Sequence, residues 1–270
     1  WAMLIVGVVL LQVAYYGDPF PRAWDSLISD PINEFQAWAR ANRRTHPLFT
    51  SFFTPLSNAI DWSLGAVSDF LKWLPWYVVP GATFLLIART RRYGPAVVAA
   101  LAAVYPGLVG LWNVTMETLA LMAIAVVICL IVGIPLGVAA AFSRRLDGAM
   151  RPVLDAMQTV PAPIYFIPMI LFLGIGRVPA TIATVIYALP PIIRLTALGI
   201  RHVDEQAVEA STVFGSSRAQ TLFKVQIPLA MPSIMTGINQ TIMMALGIVV
   251  LATLLGAGGL GQEVMDALQQ

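Results

Sequence analysis

Apolar residues in this sequence come in long unbroken blocks. Residues 225–262 hold no Asp, Glu, Lys or Arg, and within 95–143 the one such residue is Glu117. Each block exceeds the roughly 20 apolar residues that one spanning helix needs. The first therefore predicts one long helix and the second predicts two. Applied along the chain, the same reading gives candidate spans at 2–16, 74–88, 94–112, 115–142, 159–176, 179–200 and 228–256, the first two short for a full crossing. Continuous runs argue against an outer-membrane barrel, whose strands show short alternating segments. Pro168, Pro190 and Pro191 fall inside spans and predict kinks, tolerated where neighbouring helices satisfy the freed carbonyls.

Two polar stretches carry a pattern of their own. Leu56, Ile60, Leu64, Val67, Leu71 and Leu74 recur at three- and four-residue spacing, with Asn58, Asp61, Ser68, Asp69 and Lys72 between them. This predicts an amphipathic helix that lies in the membrane interface and leads into the second span; a soluble helix packed on a partner is the alternative. The other stretch, 201–227, interrupts the hydrocarbon run with Glu209, Arg218, Lys224 and a series of Ser, Thr and Gln. Residues 203–214 have helix-forming composition, with Asp204 suited to the N-cap and Glu205 to the first turn. Gly215 supplies the left-handed position that ends a helix. Ser217 and Gln220 then form a capping box that starts a second short helix running to about residue 226. Pro228 is expected to open the next span, where its missing N–H is harmless. The prediction is helix, glycine turn, helix: a compact knob, much longer than a connector needs and suited to docking.

Composition agrees with the pattern. The chain is 58% hydrophobic and 11% charged, with a mean hydropathy of +0.78, whereas about a quarter of residues in soluble domains are charged. This is the composition of an all-α polytopic membrane protein. Positive charge then sets the orientation. Arg89, Arg91 and Arg92 follow the second span, Arg144, Arg145 and Arg151 the fourth, and Arg201, Arg218 and Lys224 the sixth. If spans three and four form one hairpin and five and six another, these clusters share one face, and that face is cytoplasmic. Arg22, Arg40, Arg43 and Arg44 conflict mildly with this, because they fall outside if the first span crosses; long connections obey the charge rule poorly. The net charge of +2 suits membrane topology and gives no reason to invoke nucleic acid.

Candidate chemistry is sparse. The "GAGGLG" of Gly256, Gly258, Gly259 and Gly261 matches a dinucleotide-binding fingerprint in letters only, since it ends a membrane span instead of opening a helix after a strand. It reads better as a closely packed helix end, a candidate for an extracytoplasmic gate. His46 and His202 have no second ligand at useful spacing, so no metal site is expected, and Cys129 sits in an apolar run as a small core residue. No phosphate-binding loop occurs, so any ATP must be hydrolysed by another chain. Polar groups within the membrane mark transport paths. Those present are Glu117, Arg194, and Asn239, Gln240 and Thr241 in the last span, with Met243 one turn on from Asn239. For Glu117 and Arg194 a place near a helix end is the simpler reading. For Asn239 and Gln240 interhelical hydrogen bonding competes with pore lining.

The polar island resembles the EAA motif of bacterial ABC importer permeases: E-A-A, three residues, G, nine residues, I, one residue, L-P. Here the positions are Glu209, Ala210, Ser211, then Gly215, then Val225, Ile227 and Pro228. The departures, Ser211 for Ala, Val225 for Ile and Ile227 for Leu, are small or volume-conserving. The segments "RPVLDAMQTVPAPIYFIPMILFLGIG", "ALPPIIRLTALGI" and "GAGGLGQEV" are similar to the permeases of glycine betaine/proline betaine (osmoprotectant) importers. The resemblance is close over 101–264 and loose before. That family adds a final membrane helix after the glycine-rich segment, so the span count here is expected to be one short.

The resemblance implies the type I ABC importer permease fold: an N-terminal hydrophobic segment with interfacial amphipathic helices over 1–73, then a transmembrane permease domain over 74–270 that carries the coupling loop 201–227. It implies a multi-pass protein of the bacterial inner membrane, working as a homodimer. Each copy would dock one cytoplasmic ATPase subunit, which binds the ATP and Mg²⁺, and an extracytoplasmic binding protein would deliver substrate. No cofactor is expected on this chain, and its surroundings are lipid. Glu209, Ala210 and Gly215 would carry the coupling contact, with Ser211, Ser216, Arg218 and Pro228 completing the motif. Glu117, Asn239, Gln240, Met243, Gly256, Gly258 and Gly259 are the candidates for the translocation path or gate. A permease for taurine, a sulfonate or an amino acid stays open as an alternative, as does an ion-coupled secondary transporter or osmotic channel.

Overall fold

A computed structural model of the chain describes residues 1–14, 22–252 and 255–269, and every regular element among them is helical. In order they are α1 (Ala2–Ala14), α2 (Arg22–Asn42), α3 (Thr54–Trp73), α4 (Val78–Ala88), α5 (Tyr93–Leu108), α6 (Trp112–Phe142), α7 (Arg144–Thr159), α8 (Phe166–Leu173), α9 (Arg177–Arg201), α10 (Glu205–Val213), α11 (Arg218–Thr221), α12 (Ile227–Ala252) and α13 (Leu260–Leu268). The predicted end of the first span and part of the last, at 15–16 and 253–254, lie outside the described residues.

The core is a three-helix layer with α9 packed between α6 and α12. Lipid is as apolar as leucine, so burial alone does not drive this contact; close backbone approach does. Small residues permit it. A methyl group on Gly137 of α6 would lie 2.8 Å from the Ile193 carbonyl and 2.6 Å from Thr196 Cβ of α9. Gly199 of α9 stands equally close to Ser233 of α12. Cys129 of α6 is buried in this layer beside Ala188, Ile192 and Ala245.

Hydropathy overstates the number of straight spans. Among the described residues three helices are long and apolar enough to cross alone: Trp112–Phe142, Arg177–Arg201 and Arg218–Ala252. The predicted second span is the last part of a bent pair, in which Phe49–Trp73 meets Val78–Ala88 at 91°. The predicted fifth span is likewise the second leg of a bent pair, in which Arg144–Thr159 meets Ala162–Leu173 at 110°. Both breaks fall on a residue before proline. Leu74 (ψ 137°) precedes Pro75 and Val160 (ψ 128°) precedes Pro161, and the proline ring forces its predecessor out of the helical region. Neither expected kink site interrupts a helix. The helix α9 runs unbroken through Pro190 and Pro191, and Pro168 sits in the first turn of α8, where it removes no needed donor.

Pro228 also departs from expectation. It lies in the first turn of α12, but no free N-terminus precedes it, because Arg218–Ala252 runs as one continuous helix of 35 residues. A π-turn over Leu222–Gln226, closed by the Ile227 N–H on the Leu222 carbonyl, precedes the proline and widens the helix around its ring. The same device precedes Pro55, at Phe49–Phe53.

Residues 29–73 pack at one end of the core. Ile60 and Leu64 of α3 join Leu121, Val178 and Ala252 in one buried cluster. Arg43 donates to the Ile170 carbonyl (2.7 Å) and to that of Leu171, capping the C-terminus of α8, and Phe53 stacks on Phe172 with centroids 5.6 Å apart. This end also holds Arg177 and Glu117, opposite the arginine-rich end of the bundle. The charge rule makes it the outer end. The charge of Arg43 is offset there by the α8 carbonyl dipoles.

Candidate functional site

At the cytoplasmic end the island folds as a hairpin whose every turn is hydrogen-bonded. Asp204 Oδ1 accepts from the Gln206 N–H at 2.9 Å and caps α10. At its other end Gly215 adopts φ +82°. The Gly215 N–H reaches the Thr212 carbonyl (2.9 Å) and the Ser216 N–H the Ser211 carbonyl (3.0 Å), the paired bonds of a Schellman cap. The capping box follows: Gln220 N–H donates to Ser217 Oγ at 3.3 Å and Ser217 N–H to Gln220 Oε1 at 2.8 Å. One bond ties the two arms, Ser211 Oγ to Thr221 Oγ1 at 3.0 Å. The Ser that replaces the second Ala of the motif is therefore the hairpin's internal clasp.

What this scaffold presents is partly apolar. Glu209, Ala210, Gly215 and Arg218 are exposed, and Ser211 and Ser216 are partly covered. Val213 (84% exposed) and Phe214 (88%) crown the turn, with Phe223 (67%) on the second arm. Sequence reading passed over these three because it sought polar residues in a polar island. Their signal was present: large apolar side chains beside a left-handed glycine have no intramolecular core to enter. A groove of about 550 Å³ runs behind the turn, lined by Phe142, Val208, Thr212, Ser216, Arg218 and Leu222.

The hairpin is anchored through arginines on α9. Arg201 bonds Asp147 of α7 at 2.9 Å and donates to the Ala140 (2.5 Å) and Ala141 (3.4 Å) carbonyls at the end of α6. Asp147 also holds Arg151 at 2.7 Å. The hydrogen bond from Arg201 keeps the Asp147 carboxyl below its ordinary range, against a smaller opposing effect of burial. Arg194 pairs with Asp155 of α7 at 2.5 Å, so it is a tie between α9 and α7.

The residues expected to form a path or gate separate into two groups. Asn239, Gln240 and Met243 lie on an exposed face of α12, while Ile234, Gly237, Thr241, Ala245 and Ile248 face inward. This leaves a polar and methionine-bearing stripe midway along α12 that, among the described residues, no other helix covers. Glu117 is elsewhere, at the outer end, paired with Lys72 of α3 at 2.7 Å. The glycines join that outer end. A Cβ on Gly259 (φ +78°) would stand 2.6 Å from Thr118 Oγ1, the same oxygen that accepts the Leu260 N–H at 2.8 Å. The Gly176 N–H bonds the Leu255 carbonyl at 2.6 Å. Close packing of the glycine-rich segment thus has a definite target, the first turns of α6 and the loop before α9.

Comparison with known proteins agrees with this architecture. The chain is 41% identical over 251 residues to the glycine betaine/proline betaine transport system permease protein ProW of Escherichia coli, covering 92% of this chain and 68% of that one. It is 37% identical to the glycine betaine transport system permease protein OpuAB of Bacillus subtilis, over 90% of this chain and 84% of that one. To the glycine betaine/carnitine transport permease protein GbuB of Listeria monocytogenes it is 39% identical, over 81% and 79%. Among solved structures, the inward-facing MetNI methionine ABC transporter matches with a TM-score of 0.51 and 25% identity, over 55% of this chain and 75% of that one. Residues 133–270 match the family described as binding-protein-dependent transport system inner membrane component, and with half the chain so matched and a multi-pass helical core beneath it, the protein belongs to that family.

Proposed function

We propose that this chain is the permease subunit of an ATP-driven importer of glycine betaine or a related quaternary ammonium osmolyte. Two copies enclose the path, each docks a cytoplasmic ATPase subunit that holds ATP and Mg²⁺, and an extracytoplasmic binding protein delivers the solute. The observation that carries the coupling role is the hairpin: a preorganised turn with exposed Val213 and Phe214 that joins the cytoplasmic ends of α9 and α12, two of the three core helices. Such a surface is costly to leave in water and suits a groove on a soluble partner. Glu209, Ala210, Gly215 and Arg218 flank it, and Ser211 and Ser216 hold its shape. The exposed stripe of Asn239, Gln240 and Met243 is the proposed lining of the path. The substrate class rests on the relatives, each of which is named for glycine betaine.

Gly215→Asp is the decisive variant. A β-substituted residue is strained at φ +82°, so the turn should reshape and betaine uptake should fall to background while the protein stays in the membrane. Uptake at the wild-type rate would refute the coupling role. For the substrate, the reconstituted complex should hydrolyse ATP faster with glycine betaine or carnitine and the matching binding protein. Stimulation by taurine or an amino acid instead would reassign it. Transport by the isolated chain in liposomes would favour an ion-coupled transporter.

A further inference from the structure

The amphipathic helix α3 does more at the outer end than lie in the interface. Its Asp61 receives the Arg177 Nε–H at 2.6 Å, and Arg177 opens α9. Its Lys72 pairs with Glu117 in the first turns of α6 at 2.7 Å. One helix is thus bridged by charge to the outer ends of both α6 and α9. Between the two bridges lies a cavity of about 50 Å³ bounded by Leu64, Ser68, Glu117, Leu121, Arg177 and Ala257. Ala257 belongs to the glycine-rich segment that continues α12, and a Cβ on its neighbour Gly258 would come 3.9 Å from Glu117 Oε2. The glycine-rich segment therefore lies against the residues that α3 ties together.

The chemistry of the joint differs from the rest of the contact. Along the same helix Ile60 and Leu64 are buried against the core, a cheap way to make a permanent seam. The four charged side chains are instead 32–50% exposed. Ion pairs in that setting contribute little net stability, exchange readily with water and weaken with salt. They suit a joint that has to open.

We propose that Asp61, Arg177, Lys72 and Glu117 are gate-positioning residues: their two ion pairs let α3 latch the outer ends of α6 and α9 over Ala257, and so hold the outer gate shut. The latch rests on the transport reading above for its purpose. Its geometry, though, is testable without an ATPase. In Ala257→Cys, with native Cys129 fully buried, labelling by a membrane-impermeant maleimide added from outside reports opening of this end. Asp61→Asn and Arg177→Gln should each speed labelling by about two- to five-fold, the shift an exposed ion pair can carry. The double variant should be no faster than either single one, because both remove the same bond. Lys72→Gln should act in the same direction, and Arg177→Lys should label close to the wild-type rate. In the assembled complex, ATP hydrolysis without binding protein should rise in parallel. Unchanged or slower labelling in the single variants, or additive effects in the double, would overturn the latch. Failure of uptake or ATPase docking in the wild type would instead remove the transport reading and leave the labelling result standing.

Discussion

Gly137 and Gly215 are both glycines, yet the constraint on each is different. At Gly215 the backbone itself is left-handed, and the sequence announces this by placing glycine after a helix-forming run and before a capping box. At Gly137 the backbone is ordinary helix and the constraint is the neighbour across the interface, which no local pattern reveals. Gly137→Ala should therefore lower the thermal midpoint in detergent, at a cost of about 1–3 kcal/mol for overpacking, because its Cβ meets backbone oxygen and Thr196 Cβ below 3 Å. Gly247→Ala, whose Cβ has nothing within 4 Å, serves as control and should leave the midpoint unchanged or slightly raised. Equal losses in the two would show that the α6–α9 contact does not set stability.

Among the elements, the second and fifth predicted spans begin, at 74 and 159, where the helices break. Pro75 and Pro161 push the residue before them into extended backbone, and what hydropathy left unread is the sharp angle at which the preceding helix arrives. The capping box, the glycine stop and the Asp204 cap were legible because their partners lie within a few residues. The docking of α7 was not, since Arg201 and Asp147 meet only after α9 has folded onto α6. That tie carries a pH signature. Asp147 of α7 and Asp61 of α3 are held below the ordinary carboxylate range chiefly by hydrogen bonds from Arg201 and Arg177. A depressed folded value means the stabilisation is complete above the unfolded value, about 3.9, and is lost as pH falls through the folded one. Thermal midpoints should thus be flat from about pH 8 to 5 and fall only below about 4. Arg201→Gln should lower the plateau and flatten the acid limb; an acid limb as steep as in the wild type would exclude Asp147 as its source.

At the scale of the molecule, the exposed hairpin and the latched outer end sit at opposite ends of the same two helices, α9 and α12. Phe214→Asp tests the inner end. The side chain is 88% exposed, so membrane insertion should be normal, while copurification of the ATPase should weaken by tenfold or more if Phe214 anchors the interface. Undiminished copurification would move the contact to another part of the hairpin. The sequence by itself determined that the chain is helical and spans a membrane, which end faces the cytoplasm, and how the hairpin is shaped. These depend on composition, charge asymmetry and bonds between near neighbours. Only the tertiary structure decided the angles at which the broken helices meet, that Arg194, Arg201 and Arg177 are ties between helices, and that α3 reaches Glu117 and Arg177. Those contacts join residues 39 to 116 positions apart. A charge in a sequence has a sign and no direction, and its partner is chosen only when the helices pack.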